Sequence, residues 1–243
     1  MCIVSYSKID DIQENNTRCG EALDIPILAY VAGLSTLFPV VTGGIRFRGL
    51  DREFRMLLLV FFLEVLSALF QIVLAFQGIN NLFLGHFYVF VEFILFLIVF
   101  SRWSVGIWKT VIIQILVFFV LFWILSHVFF ERLDQPAYYS SILSKVFYTG
   151  ISIVMLHRIS SASDRSILFE PRFWIFSGLL VFSSGGLMFS FLRSVIDKLP
   201  PDGLTVAYSI HWAISIVTNT LYAVGFLCKP QVQNSGGRLE LAR

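Results

Sequence analysis

Long apolar runs separated by short clusters of charged and turn residues dominate the chain. They fall at about 26 to 43, 54 to 76, 80 to 101, 108 to 130, 138 to 157, 172 to 193 and 204 to 228. Each is close to the ~20 residues a helix needs to cross a hydrocarbon core about 30 Å thick. Strand-type alternation is absent and a barrel requires many shorter alternating segments, so helices are the remaining way to satisfy the backbone in lipid. The pattern therefore predicts an all-α polytopic membrane protein: a seven-transmembrane-helix bundle over 25–229, behind a polar leader 1–24 and ahead of a flexible tail 230–243. Pro39 breaks the first run. The fourth run, VIIQILVFFVLFWIL, is apolar all round except for Gln114 and the terminal Ser126 and His127, which predicts a peripheral position. Ser183, Ser184, Gly185 and Gly186 in the sixth run are small enough to let a neighbouring helix approach closely or to allow a kink.

Charge adds direction to this pattern. One set of loops carries Arg46, Arg48, Arg52, Arg55, Arg102, Lys109, Arg158, Arg165, Arg172, Lys229, Arg238 and Arg243, against five basic residues on the other side: Lys8, Arg18, Arg132, Arg193 and Lys198. Positive loops stay cytoplasmic, so the expected topology has the N-terminus outside and the C-terminus cytoplasmic, in a bacterial inner membrane or a plasma membrane. Trp103, Trp108 and Trp174 lie at the inner boundary in this frame, where amphipathic rings are favoured.

Composition narrows the function classes. Of 243 residues, 57% are hydrophobic and 14% charged, against about 25% charged in a soluble domain. Eighteen basic and sixteen acidic residues leave a net charge of +2, too balanced and sparse for nucleic-acid binding by phosphate neutralisation. Cys2, Cys19 and Cys228 form no CxxC, so a sulfur-based metal site is excluded; Cys2 and Cys19 share the leader and are a candidate pair only in an oxidising compartment. The 26 phenylalanines are expected on the lipid-facing surface rather than in a cofactor box.

Polar residues inside the apolar runs carry the candidate chemistry, because an unpartnered charge at the bilayer centre costs about 3 kcal/mol or more. Glu64, Ser67 and Gln71 share one face of the second run. The third carries His86, Tyr88 and Glu92, with Tyr88 and Glu92 four residues apart. The fifth has a stripe of Ser141, Lys145, Tyr148 and Ser152, and the seventh one of His211, Ser215, Asn219 and Tyr222. At about 1.5 Å per residue, Glu64 and Glu92 fall roughly 18 Å deep, near the midplane, and His86, Lys145 and His211 roughly 9 to 11 Å below the outer boundary. The expectation is a polar cavity among the second, third, fifth and seventh helices. Lys145 reaches toward Glu92 or Glu64 in this arrangement, while Gln71, Tyr148, Ser215 and Asn219 link the two layers. His127 and His157 lie at helix ends and are explained by interfacial solvation.

Three function classes follow. The first is a small transporter or ion-coupled carrier that uses Glu64 and Glu92 for protons or cations and the His/Lys layer for a polar substrate or ion. The second is a ligand-sensing receptor or membrane subunit that signals to a protein partner through inner loops 44–55 and 158–172. The third is an intramembrane metal or haem enzyme with His86 and His211 as ligands at matching depth. No cofactor is specified by the sequence. A retinal Schiff base in the seventh helix is excluded, because 204–228 contains no lysine.

Overall fold

The computed structural model describes residues 27–162, 167–196 and 201–228, and every regular element among them is helical. Seven helical stretches are long and apolar enough to cross a membrane: Ile27–Ile45, Arg52–Leu74, Leu82–Trp103, Ile107–Phe129, Tyr139–Ser161, Pro171–Leu192 and Gly203–Leu227. They coincide with the seven apolar runs to within a few residues. The leader with Cys2 and Cys19, and the tail 230–243, lie outside the described residues.

The first span is two short helices, α1 (Ile27–Ser35) and α2 (Leu37–Ile45). Proline has no N–H to offer the carbonyl four residues back, so Pro39 leaves the Ser35 carbonyl without its helical donor and the chain turns at Thr36. The interruption is stitched locally. The Thr36 amide and hydroxyl both donate to the Gly33 carbonyl, at 3.3 and 2.7 Å, and the Ser35 hydroxyl donates to the Ala32 carbonyl at 2.7 Å. The remaining spans are α3 (Arg52–Phe76), α4 (Leu82–Trp103), α5 (Ile107–Phe129), α6 (Tyr139–Ala162), α7 (Pro171–Ile196) and α8 (Pro201–Leu227).

Two glycines with positive φ serve the turns. Gly78 (φ 68°) follows α3, where the Ile79 amide returns to the Leu74 carbonyl at 3.0 Å in a Schellman-type ending. Gly106 (φ 63°) turns the chain between α4 and α5.

Packing follows a ring in which α2, α3, α4, α6, α7 and α8 meet in succession and α1 and α2 close it against α8. α5 packs mainly on α4 and α6 from outside the ring and leaves Val117, Phe118, Leu121, Ile124 and Leu125 exposed to the surroundings, the peripheral position its uniform apolarity predicts. The ring is fastened where its ends meet. Arg46, just after α2, donates to the carbonyls of Phe226, Leu227 and Cys228 at 2.9, 2.6 and 2.8 Å, capping the C-terminus of α8 with a cation where orphan carbonyls and the helix dipole favour one.

The expectation for phenylalanine holds for twelve exposed rings among the described residues, Phe62, Phe70, Phe87 and Phe118 included, and is corrected for the core. Phe54, Phe61, Phe93, Phe96, Phe100, Phe119, Phe176 and Phe226 are buried, so eight of these rings fill the interior rather than face lipid. Phe54 meets Trp103 with centroids 5.2 Å apart, Phe100 meets Phe176 at 4.9 Å, and Phe61 meets Tyr222 at 4.7 Å, within the range of favourable aromatic pairs. These contacts fill the half of the bundle next to Arg52, Arg102 and Arg172. In that half Glu53 approaches Arg102 at 3.9 Å and the Arg172 guanidinium lies 5.6 Å from the Trp103 ring centroid.

Small residues bring α7 and α8 together. A Cβ on Gly178 would stand 2.8 Å from the Tyr222 ring, and one on Gly185 2.8 Å from Ile214. From the α8 side, a Cβ on Gly225 would stand 2.8 Å from Ile175. Without hydrophobic exclusion to drive helix association in lipid, this close van der Waals approach is a principal attraction between spans.

Candidate functional site

Two polar clusters stand above the aromatic floor. The central one draws on four helices. Phe61 and Phe96 pack against Tyr222 and Tyr148 at 4.7 and 5.4 Å, and Glu64 and Glu92 lie about one helical turn away from these two phenylalanines on α3 and α4. Glu64, Glu92, Tyr148 and Tyr222 all lie within electrostatic range of the Tyr88 hydroxyl, and Glu64 and Lys145 lie within that range of the Glu92 carboxyl. The Lys145 ammonium donates to the Ser141 hydroxyl at 2.9 Å, and its stem runs against Gly186, where a Cβ would come within 2.8 Å of Cε. Gly186 therefore gives the lysine its path across the α6–α7 interface. Glu64, Tyr88, Glu92, Lys145, Tyr148 and Tyr222 are thus gathered into one neighbourhood in the bundle interior.

Gln71, Ser215 and Asn219, expected to link the two layers, bond elsewhere among the described residues. Gln71 donates from Nε2 to the Ser67 hydroxyl on its own helix at 3.2 Å, and its carbonyl accepts from Asn81 Nδ2 at 2.8 Å. Ser215 donates to the His211 carbonyl one turn back at 3.0 Å, a bond within α8. Asn219 Nδ2 donates to the Ser35 hydroxyl at 2.9 Å, fastening α8 to the break in the first span. The Tyr148 hydroxyl and His211 Nδ1 are buried with no hydrogen-bond partner among the described residues, and the His211 ring lies 4.9 Å from Phe189.

His86 departs furthest from the sequence reading. It bonds to His127 rather than pairing with His211, and the explanation of His127 by interfacial solvation is corrected. His86 Nδ1 and His127 Nε2 are 2.9 Å apart, with ring centroids 4.8 Å apart. α4 and α5 are antiparallel about Gly106, with His86 twenty residues before the turn and His127 twenty-one after it. Both rings therefore reach the same end of the hairpin. Past that end the chain folds back over it, as the amides of Phe130 and Glu131 both donate to the Ser126 carbonyl at 2.7 Å.

This return buries Glu131, at 5% exposure, beside the wholly buried His86. One Glu131 oxygen accepts from the Ser140 amide at 2.9 Å, and the other accepts from the Ser140 hydroxyl and, at 3.4 Å, from Ser126. That second oxygen lies 3.9 Å from His86 Nδ1 and 4.0 Å from His127 Nδ1. Neither His127 nor Glu131 was a sequence candidate. The matched distances of the two histidines from Gly106 and the four-residue spacing of His127 and Glu131 were the available signals.

Seven membrane-length apolar helices define an integral membrane protein of all-helical architecture. No protein-family model, curated protein or solved structure matches the chain.

Proposed function

We propose that the protein is a small transporter or ion-coupled carrier in which Glu64 and Glu92 take up and release a proton or cation while Lys145 provides the opposing charge. The observation that carries this reading is the convergence of two acids and an amine from α3, α4 and α6, with three tyrosines, inside apolar helices. Ionisable groups in such an environment are costly, and ion pathways and proton relays are where they are found. The aromatic packing of Phe54, Phe100, Trp103, Phe176 and Phe226 closes the arginine-bearing face, which supports access from the opposite side. With the arginine-rich loops cytoplasmic, the site opens outward, the N-terminus lies outside, and the host is a bacterial inner membrane or a plasma membrane.

Proteoliposomes loaded with a pH-sensitive dye provide the test. Small carboxylates, amino acids and inorganic anions are added one at a time, and the expected result is internal acidification with at least one of them. Glu92→Gln and Lys145→Met abolish the signal in protein that still elutes as a folded species. Acidification that survives both substitutions, or none with any solute, rejects the carrier. A second reading, a ligand-sensing subunit that signals to a protein partner, is supported by the exposed Arg48 and Arg52 in loop 44–55. Co-purification of a partner that Arg48→Glu with Arg52→Glu releases distinguishes it.

A further inference from the structure

The two histidines at the end of the α4–α5 hairpin present a problem of hydrogen bookkeeping that the carrier reading does not touch. His86 Nε2 is 2.7 Å from the Gln135 carbonyl, and His127 Nδ1 is 2.8 Å from the Trp123 carbonyl. A carbonyl only accepts, so both of these nitrogens carry N–H. In neutral rings the remaining nitrogens, His86 Nδ1 and His127 Nε2, are bare lone pairs. They face each other at 2.9 Å. Two lone pairs do not attract, so an electropositive species belongs at that position: a shared proton or a metal ion.

We propose that His86 Nδ1, His127 Nε2 and a Glu131 carboxylate oxygen form a binding site for a divalent transition metal, with zinc(II) the best fit. One ligand atom from each of the three residues lies within 4.8 Å of the others, with His86 Nδ1 2.9 Å from His127 Nε2 and 3.9 Å from the Glu131 oxygen. Ligands at about 2.0 to 2.2 Å from a tetrahedral zinc are compatible with that grouping after small rotations, and two histidines with one carboxylate leave the fourth position open. The surroundings match what metal-binding side chains require. Each histidine gives its outer N–H to a backbone carbonyl, which fixes tautomer and ring orientation, and the carboxylate is held by Ser140 and Ser126. Imidazole and carboxylate together favour zinc-like cations over calcium or magnesium, which take oxygen ligands.

The test uses full-length protein purified in detergent and stripped with a chelator. Zinc(II) is titrated in competition with a coloured indicator, and cobalt(II) is followed by its visible absorption and by tryptophan quenching, since the Trp123 ring lies 4.2 Å from His127. One zinc per chain is expected, with a cobalt spectrum of tetrahedral type. His127→Asn and Glu131→Gln weaken binding about 100-fold, while His157→Ala at the exposed end of α6 leaves it unchanged. Trp123→Phe removes most of the quenching and keeps the stoichiometry. Wild-type protein that takes up no stoichiometric zinc overturns the site whether or not any variant folds, as does equal weakening by His157→Ala and His127→Asn. Solute-driven acidification reads the Glu64–Glu92–Lys145 cluster separately, so either reading can fail alone.

Discussion

The Glu131 cluster and the Glu92 cluster both bury acids among apolar helices, yet they solve the problem differently. Glu131 has both oxygens occupied by donors from Ser140 and Ser126, with two histidines at its side. Glu92 is half-buried and sits among groups that act on it through space, namely Glu64, Lys145 and Tyr88. The first arrangement is fixed by short directional bonds and suits a structural or ligating role. The second leaves the carboxyl able to change charge and partner, which suits transfer. The two surroundings therefore assign different expectations to the same residue type.

Substitutions sharpen this contrast. The largest effect is expected from Glu131→Ala, which strands the Ser140 amide in a buried place and takes the carboxylate acceptor from the Ser140 and Ser126 hydroxyls beside the histidine pair. A loss of about 3 to 5 kcal/mol follows for a broken buried network, read as a large fall in thermal stability in detergent. Gly178→Ala comes next at about 1 to 3 kcal/mol, because the new methyl runs into the Tyr222 ring and that ring also lines the central cluster. Arg46→Gln removes the charge that caps α8 and costs about 1 kcal/mol. Smallest in stability is Glu92→Gln, under about 1 kcal/mol, because an amide of the same shape replaces a carboxyl in no fixed bond, although dye acidification in vesicles disappears. Equal destabilisation by Glu131→Ala and Glu92→Gln removes the distinction between the clusters.

The bundle was legible in the sequence because lipid imposes a simple requirement: a backbone that crosses it must satisfy itself, and only apolar runs of the right length do so. Pro39 marked the broken span and the uniform apolarity of residues 111–125 marked the outer helix. Facing was harder to read. Helical spacing grouped Tyr88 with Glu92 and Lys145 with Tyr148, and each stripe continued onto residues that turn to other work, such as Asn219 to Ser35. The phenylalanines divide, twelve exposed and eight buried among the described residues, and hydropathy could not sort them because it is the same for a ring that meets lipid and one that meets another ring. His127 and Glu131 were missed because their burial depends on residues 130–140 folding back over the hairpin, and burial by a returning loop leaves no periodic trace.

The Arg46 latch has a consequence for biogenesis. Its guanidinium emerges with the first hairpin, but the Phe226 carbonyl it grips lies 180 residues later. At about 5 to 20 residues per second, roughly 10 to 40 s of translation separate the two. Through that interval the opening span has α3 to rest on but not α8, and only the final crossing completes its seat. A chain halted before its last crossing thus remains an open horseshoe, its Arg46 lacking the three carbonyls that would close the rim.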